Sequence, residues 1–134
     1  MESKKVVTSF LIYKNKILIM KRSNKVGSFQ GKWAVASGYL EQEDAKPLER
    51  ALLEVAEETG INTLKIIKEG KSFDFHDEEH NVHWIIYPFL FKVDTDKVNL
   101  DWEHDDFKWI KPSELEKYDI VKNLEKGLQR VLKF

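Results

Sequence analysis

The sequence predicts an α/β layered domain, in which a mixed β-sheet carries helices on its faces. Three observations lead to this prediction. Apolar and β-branched runs come in meandering groups, one helical segment lies in the middle of the chain, and a second lies near its end. At 134 residues the chain has room for one domain, so a single domain over residues 1–134 is expected.

The first part of the chain is predicted to form a hairpin, a loop and a short strand. Val6 to Tyr13 and Ile17 to Met20 are β-rich runs separated by a short polar turn, which is a hairpin signal. Residues 22–32 lose this periodicity and indicate a loop. Trp33 to Ala36 is predicted to be a short strand that Ser37-Gly38 breaks.

A helix is predicted next. Pro47 suits the first turn of a helix, because its missing N–H is not needed there. Leu48 to Thr59 favours helix, and Gly60 is a typical residue just past a helix end. The apolar residues of this segment gather on one side, which should pack against the sheet.

The second half of the chain is predicted to return to strands and to end in a helix. The predicted strands begin within Ile61 to Lys68, alternate polar and apolar residues around Phe73 and Phe75, and then run from Val82 to Val93 and from Phe107 to Ile110. The predicted helices are a single turn over Glu114 to Lys117, which Ser113 could cap, and a longer one from Ile120 to Leu132. Pro88 cannot donate to a ladder and indicates an edge or a bulge. Phe89 and Phe91 lie close to Pro88 on the same strand, so a homodimer that forms along this strand edge stays possible.

Charge and composition exclude several classes of function. Lys plus Arg number 22 and Asp plus Glu 23, so no nucleic-acid partner is expected from a strong positive field. The chain has no cysteine, which excludes disulfides, thiolate zinc sites and a cysteine nucleophile. No apolar run reaches the roughly 18 to 20 residues that cross a bilayer, and no signal-peptide core is recognisable. No membrane association and a cytoplasmic location are therefore expected.

Three carboxylates share the polar face of the predicted central helix. Glu54, Glu57 and Glu58 come together because residues three and four apart lie on one side of a helix. Their mutual repulsion should raise their pKa values and cost stability, and a hard divalent cation with oxygen ligands would relieve it. The alternative is a solvated acidic face, which is commoner on helices in general.

The sequence around these acids resembles the Nudix box, whose pattern is Gly, five residues, Glu, seven residues, Arg-Glu-aliphatic-x-Glu-Glu-x-Gly-aliphatic. The last eight box positions match from Glu54 through Ile61. The likeness extends to three further segments: Lys21-Arg22-Ser23, Gly31-Lys32-Trp33, and Glu103-His104-x-x-Phe107-x-Trp109-Ile110 followed by Ser113-Glu114-Leu115. It covers nearly the whole chain and is weakest in residues 62–101.

The box departs from the family pattern in three places. The interval from Gly38 to Gly60 is one residue longer, the first Glu falls on Asp44 or Ala45, and the Arg is Leu53. In the family this Glu and Arg are similar to an ion pair that braces the loop against the helix, so the brace is predicted to be altered and the metal ligands retained. Arg50 lies four residues before Glu54 and could hold that carboxylate instead.

The resemblance implies a Nudix-type α/β/α sandwich with a mixed β-sheet, and a hydrolase that cleaves the pyrophosphate linkage of a nucleoside diphosphate derivative such as a nucleotide, a nucleotide sugar or a dinucleotide. The implied cofactor is Mg²⁺, with Mn²⁺ as a substitute. The implied metal ligands are Glu54, Glu57, Glu58 and the backbone carbonyl of Gly38. The general base is either Glu57 or Glu58 on the helix or Glu103 on a later loop, where a simple turn acid is the alternative.

A nucleotide-like small molecule is the expected partner. The candidate substrate-binding residues are Arg22 for the phosphates and Trp33, Tyr39, Phe29 and Trp84 for stacking on a base. The competing interpretations are a surface arginine and core aromatics. His76, His80 and His83 suggest zinc, but no fourth ligand is obvious.

Two further classes of function stay open at this point. One is a catalytically silent domain that binds a nucleotide or a protein partner, which the irregular box and Leu53 favour. The other is a structural protein whose helix acids are merely solvated.

Overall fold

The computed structural model describes residues 1–44 and 46–132. Within these residues the strands are β1 (Glu2–Tyr13), β2 (Lys16–Arg22), β3 (Trp33–Ala34), β4 (Ala36–Tyr39), β5 (Leu64–Glu69), β6 (Phe73–Asp77), β7 (Val82–Val93) and β8 (His104–Ile110). The helices are α1 (Pro47–Thr59) and α2 (Leu124–Val131), with a 3-10 helix at Pro112–Lys117.

The strands form one mixed sheet around a parallel central pair. β1 and β7 pair from Glu2 opposite Val82 to Ile12 opposite Lys92. The other side of β1 pairs antiparallel with β2 and β4, and β2 also pairs with β3 and β8. The other side of β7 pairs antiparallel with β5 and β6. β1 and β7 are therefore internal strands, which explains their long apolar runs.

The prediction that Pro88 marks a sheet edge is wrong, because β7 has partners on both sides. Pro88 lies opposite Thr8 of β1, and on its other side the sheet changes partner from β6 to β5. The Pro88 carbonyl accepts a hydrogen bond from the N–H of Gly70 at 2.9 Å. Since the N–H and C=O of one strand residue point to the same side, the missing N–H of Pro88 would have faced the gap between β5 and β6.

Phe89 and Phe91 do not form an exposed edge. Both side chains are fully buried and stack on each other with their ring centroids 5.8 Å apart. The structure therefore does not support a homodimer that forms along an edge at Phe89 and Phe91. A homodimer as such stays a prediction.

Helices cover both faces of the sheet. Ala51 and Val55 of α1 pack with Val7, Leu11 and the two phenylalanines of β7 in one core cluster. On the opposite face, α2 and the 3-10 helix enclose a second cluster, whose buried members include Phe10, Ile19, Leu90, Leu115, Leu124, Leu128 and Val131. The predicted α/β/α sandwich with a mixed sheet is confirmed. None of the helices in the described part of the chain is long and apolar enough to cross a membrane.

Several element boundaries differ from the predicted ones for tertiary reasons. Ser37-Gly38 does not break a strand: both residues lie inside β4, opposite Thr8 and Val7 of β1. α2 begins at Leu124 rather than Ile120, because Ile120 forms a bridge with Trp33 instead. The residue that precedes the 3-10 helix is Lys111, so Ser113 is not its cap.

Candidate active site

Helix α1 places its acids between the sheet and the solvent. It begins at Pro47 and ends before Gly60, whose φ of 75° is the left-handed conformation that glycine adopts without strain. Glu57 is exposed, but the Glu58 side chain is buried, with a relative exposure of 1%. Glu58 therefore does not belong to a solvated acidic face.

Strand β4 lies against α1 at the point where a small residue is required. A Cβ atom on Gly38 would collide with the carboxyl group of Glu54. The next residue back, Ser37, directs its backbone N–H toward Glu58, with 3.3 Å from the nitrogen to each carboxylate oxygen. The β4 backbone thus brings the Gly38 region and two of the three predicted helix ligands together.

Burial and mutual repulsion raise the pKa values of these acids. Burial raises the pKa of Glu58 well above its usual range, and the nearby carboxylates of Glu103 and Glu54 raise it further. Burial also raises the pKa of Glu54, and Glu57 adds to this effect. Burial and the charge of Asp101 raise the pKa of Glu103. A cluster of this kind favours either protons or a bound cation.

His104 is a buried residue of the site to which the sequence assigned no role. It is 4% exposed, and its Nδ1 lies 3.0 Å from Oδ1 of Asp101. Its Nε2 lies 3.7 Å from Oε1 of Glu58 and has no hydrogen-bond partner among the described residues. Burial lowers the pKa of His104. The signal in the sequence was its place directly after Glu103 in the family-like segment.

The loop-to-helix brace is altered, as the sequence predicted, and an ion pair of this kind is present. Arg50 holds Asp44 through two hydrogen bonds, Nε to Oδ2 at 2.9 Å and Nη2 to Oδ1 at 3.0 Å. Its Nη1 also lies 3.3 Å from Oε1 of Glu54, as the sequence suggested. The hydrogen bond from Arg50 lowers the pKa of Asp44. The alternative position for the box Glu, Ala45, lies outside the described residues.

The arginine of this brace is one helical turn away from the box position. Leu53, which occupies that position, is 51% exposed. Arg50 lies three residues earlier and therefore on a neighbouring part of the same helix surface. The brace is consequently displaced along α1, not removed.

A cavity of about 400 Å³ adjoins the acids. Glu54, Glu103 and Gly38 line one end, and the sheet face forms an apolar floor that includes Val6, Phe75, Trp84 and Ile86. The hydroxyl oxygen of Thr8, which also lines the cavity, is buried without a hydrogen-bond partner among the described residues. A largely apolar pocket with a few polar groups at one end is typical of a small-molecule site.

Arg22 lines this cavity and is held in place. Its Nε donates a hydrogen bond to the carbonyl oxygen of Ser28 at 3.0 Å. Burial lowers the pKa of Arg22, while the carboxylates of Glu103 and Glu58 raise it. The guanidinium group therefore lies within the electrostatic field of the acids.

Three of the four predicted stacking aromatics line the cavity. They are Phe29, Tyr39 and Trp84. Tyr39, which is 47% exposed, lies nearly parallel to Trp84 with ring centroids 6.4 Å apart. Trp33 is not brought to the cavity: it packs edge-on against Tyr118 at 5.6 Å in the core cluster of α2.

The histidines considered for zinc do not converge on one point. His76 and His83 stack with ring centroids 4.6 Å apart. His80 instead lies near Asp77 and Glu79, and the potential metal-ligand atoms of these three residues are within 4.8 Å of one another. Asp77 is fully buried and accepts hydrogen bonds from the Trp84 indole at 3.1 Å and the His80 backbone at 3.2 Å. These bonds account for its burial without a metal.

Comparisons with known proteins identify the family. The family model described as NUDIX domain matches residues 3–131. A stretch of 46 residues is 41% identical to an RNA pyrophosphohydrolase of Bartonella tribocorum and covers 34% of this chain. That match spans only 26% of the length of the relative.

Two solved structures show the same fold. The MutT protein of Methanosarcina mazei has a TM-score of 0.83 at 22% identity, over 97% of this chain and 93% of that one. A bifunctional NMN adenylyltransferase/ADP ribose pyrophosphatase of Francisella tularensis has a TM-score of 0.79 at 23% identity, over 95% of this chain and 40% of that one. At these identities the likeness concerns the fold alone.

Fold and family model agree on a class of protein, the Nudix hydrolases, which act on phosphoric anhydride bonds. The chain belongs to the Nudix hydrolase family. The resemblance carried by Glu54 through Ile61 and the expected enzyme class are thereby confirmed.

The residues at the acidic end of the cavity fit a divalent cation, which the family generally uses. The carboxylates of half-buried Glu54 and Glu103 and of buried Glu58 all have raised pKa values. Beside them lies the buried Nε2 of His104, which has no hydrogen-bond partner in the described part of the chain. Like charges and an unpaired acceptor in one place are what a cation would neutralise.

Proposed function

We propose that the protein is a Mg²⁺-dependent hydrolase of the pyrophosphate linkage in a nucleoside diphosphate derivative, and that residues 1–134 act as one domain. One observation carries the proposal. The carboxylates of Glu54 and Glu103, whose pKa values burial raises, line an apolar cavity of about 400 Å³. This combination joins a cation site to a pocket of the size that small molecules occupy.

The helix acids are proposed to hold the cation. Glu54, Glu57 and Glu58, with the backbone carbonyl of Gly38, would bind Mg²⁺ or, as a substitute, Mn²⁺. When bound, the ion would neutralise charge on the phosphates and lower the pKa of a bound water. Glu57 is exposed, so its side chain can rotate toward the other two at little cost.

Glu103 is proposed as the general base. It lines the cavity, it does not belong to the helix that supplies the cation ligands, and burial raises its pKa toward the range in which a base works near neutral pH. Glu58 is a weaker candidate because its burial and its contact with the β4 backbone suit a ligand better. Glu57 is not among the residues that line the cavity.

The substrate is proposed to lie with its phosphates near Arg22 and its base among the aromatics. Arg22 can offer the guanidinium edge that its bond to Ser28 leaves available. Phe29, Tyr39 and Trp84 present aromatic faces to the cavity, and stacking on such faces tolerates every base. A nucleotide-like small molecule is thus the proposed partner.

The test is a substrate panel with and without Mg²⁺, in which release of phosphate, pyrophosphate and mononucleotide is followed. The panel should include nucleoside triphosphates, nucleotide sugars, dinucleotides and a 5′-triphosphorylated RNA, since one relative is named an RNA pyrophosphohydrolase. We expect turnover of some member that EDTA abolishes. Absence of turnover across the panel with both Mg²⁺ and Mn²⁺ would refute the proposal.

The general base is tested by Glu103→Gln, with Glu116→Gln as the matched control. Both changes remove one carboxylate, but Glu116 is exposed on the 3-10 helix. We expect Glu103→Gln to lower kcat by about 10²- to 10⁴-fold, and the control to have no effect. An unchanged kcat in Glu103→Gln would move the base to the helix acids.

A catalytically silent binding domain is the alternative function. Its grounds, Leu53 and the irregular box, are weakened because Arg50 and Asp44 form an ion pair one turn away from the box position. Thermal stabilisation by Mg²⁺ and a nucleotide, without turnover of any panel member, would favour this alternative.

A further inference from the structure

Two buried acceptor atoms face each other behind the helix acids. Oε1 of Glu58 and Nε2 of His104 are 3.7 Å apart, and both side chains are almost completely removed from solvent. A separation of this size is too long for a hydrogen bond. Oε1 of Glu58 accepts a hydrogen bond from the Ser37 N–H, whereas Nε2 of His104 has no hydrogen-bond partner among the described residues. Leaving that nitrogen unpaired is unfavourable in a medium of low dielectric.

The tautomer of His104 follows from its other nitrogen. Nδ1 lies 3.0 Å from Oδ1 of Asp101. A carboxylate can only accept, so Nδ1 carries the hydrogen and donates it, and in the neutral ring Nε2 presents its lone pair. A histidine whose second nitrogen is held by a carboxylate is the arrangement found around metal-ligating histidines.

We propose that His104 Nε2 is a nitrogen ligand to the cation that Glu58 holds, so that the site combines an imidazole with carboxylates. The location rests on the proposed function, because Glu58 is one of its cation ligands. Among the described residues Arg22 forms no ion pair with Glu58, and its Nε donates to the Ser28 carbonyl instead.

A nitrogen ligand alters the choice of metal. Mg²⁺ takes oxygen ligands in a strict octahedron, whereas an imidazole suits transition metals such as Mn²⁺ or Co²⁺ better. The site of this protein should therefore bind Mn²⁺ more tightly than Mg²⁺, and the ratio of the two affinities should depend on His104. Replacing the ring nitrogen by an oxygen should lower that ratio.

The direct test is pulsed EPR of Mn²⁺ bound to the full chain without nucleotide. We expect ¹⁴N coupling from a directly bound nitrogen, and ¹⁵N labelling of histidine should convert it to a ¹⁵N pattern. In His104→Gln, where an amide oxygen can take the place of Nε2, the coupling should disappear and the Mn²⁺ affinity should fall about 10-fold. The Mg²⁺ affinity should change much less.

The control variant keeps His104 as the only histidine. The chain has four histidines, so the triple change His76→Gln, His80→Gln and His83→Gln removes the rest, including the one in the Asp77 cluster. We expect this variant to retain the nitrogen coupling. The triple variant also tests the proposal if His104→Gln does not fold, because any histidine nitrogen coupling that the triple variant shows must come from His104.

Coupling that is lost in the triple variant, or that is missing from the wild-type protein with Mn²⁺ bound, would overturn the inference. Mg²⁺-dependent turnover together with no nitrogen coupling would leave the proposed function intact and remove only the nitrogen ligand. Nitrogen coupling without turnover of any substrate would support the ligand and contradict the hydrolase.

Discussion

At the scale of single residues, Glu58 shows how burial alters a carboxylate that the sequence presents like its neighbours. Glu57 and Glu58 are adjacent in the same motif, yet one is exposed and the other is 1% exposed. The difference arises because Glu58 turns toward β4 and His104, which lie far away along the chain. Burial therefore distinguishes two carboxylates that are equivalent in the sequence motif.

The raised pKa of Glu58 predicts the pH dependence of stability. Because the folded state holds a proton on Glu58 more tightly than the unfolded chain, the free energy of unfolding should fall as pH rises above the ordinary Glu pKa of about 4.3. Glu54 and Glu103, whose pKa values are also raised, should act in the same direction. Urea unfolding of the metal-free protein at several pH values measures this.

The Glu58→Gln variant is the control for that measurement. Its stability should decline less between pH 5 and pH 8 than that of the wild-type protein, since one of the three carboxyl groups with raised pKa values is gone. The lowered pKa of His104, which acts in the opposite direction, is common to both proteins. An equal or steeper decline would contradict the assignment of a raised pKa to Glu58.

A second prediction at this scale concerns Gly38. Gly38→Ala should destabilise the protein by no more than about 1 kcal/mol, because the new methyl group collides only with the end of the Glu54 side chain, which can move aside. The variant should also bind Mg²⁺ more weakly, since Glu54 is displaced. Thermal unfolding and calorimetric Mg²⁺ titration measure the two effects.

Gly27 offers a matched control for stability. A Cβ at Gly27 meets nothing within 4 Å, so Gly27→Ala should leave the free energy of unfolding nearly unchanged. Equal losses in the two variants would indicate that the effect belongs to glycine itself and not to the contact with Glu54.

At the scale of elements, side-chain hydrogen bonds hold the loop before α1 to that helix. The loop carries Asp44, the helix carries Arg50, and Arg50 also reaches Glu54. Double hydrogen bonding of a carboxylate by one arginine fixes both distance and angle. Arg50 therefore links the position of the loop to the position of Glu54, which is a proposed cation ligand.

This arrangement predicts that Arg50→Gln weakens Mg²⁺ binding by roughly 10-fold, because the Glu54 carboxylate loses its support. Asp44→Asn should have a similar effect, and the double variant should be little worse than either single one, since both remove the same interaction. Calorimetric Mg²⁺ titrations of the four proteins form the cycle. Additive losses would show that Asp44 and Arg50 act independently.

Adding Leu53→Arg to Arg50→Gln tests whether the brace can move back along the helix. Leu53 is 51% exposed, so an arginine fits there without entering the core. Partial recovery of Mg²⁺ affinity is expected if the loop can be held from either turn.

At the scale of the whole molecule, the cavity depends on the packing of both helices against one sheet. Glu54 of α1 lines the cavity, and so do the first residue of α2, Leu124, and Asn123 before it. Leu128 of α2 is 1% exposed and packs in the second core cluster. The second core cluster and the cavity therefore share α2.

Leu128→Ala should accordingly reduce the free energy of unfolding by about 2–5 kcal/mol, through lost burial and a cavity. Leu53→Ala removes the same atoms from an exposed position and should change stability by less than about 0.5 kcal/mol. Urea unfolding of both variants measures the difference. Similar losses would show that α2 does not contribute to the core as the structure describes.

Local patterns in the sequence were sufficient for the elements whose signals lie within one segment, α1 and β7. The span of α1, the stop at Gly60 and the bounds of β7 agree with the predicted ones within a residue. Helix periodicity, a proline at the start and a glycine after the end are properties of neighbouring residues. The grouping of Glu54, Glu57 and Glu58 likewise needs only the pitch of a helix.

Which strands pair, and which side chains meet across them, was decided by the tertiary structure. The internal position of Pro88, the packing of Trp33 on Tyr118, the brace from Arg50 to Asp44, and the contact of His104 with Glu58 were not evident from spacing. Contacts between distant residues depend on how the whole chain buries its apolar faces. A periodicity within one segment carries no information about the partner of that segment, and for that reason the acids could be recognised from the sequence while their surroundings could not.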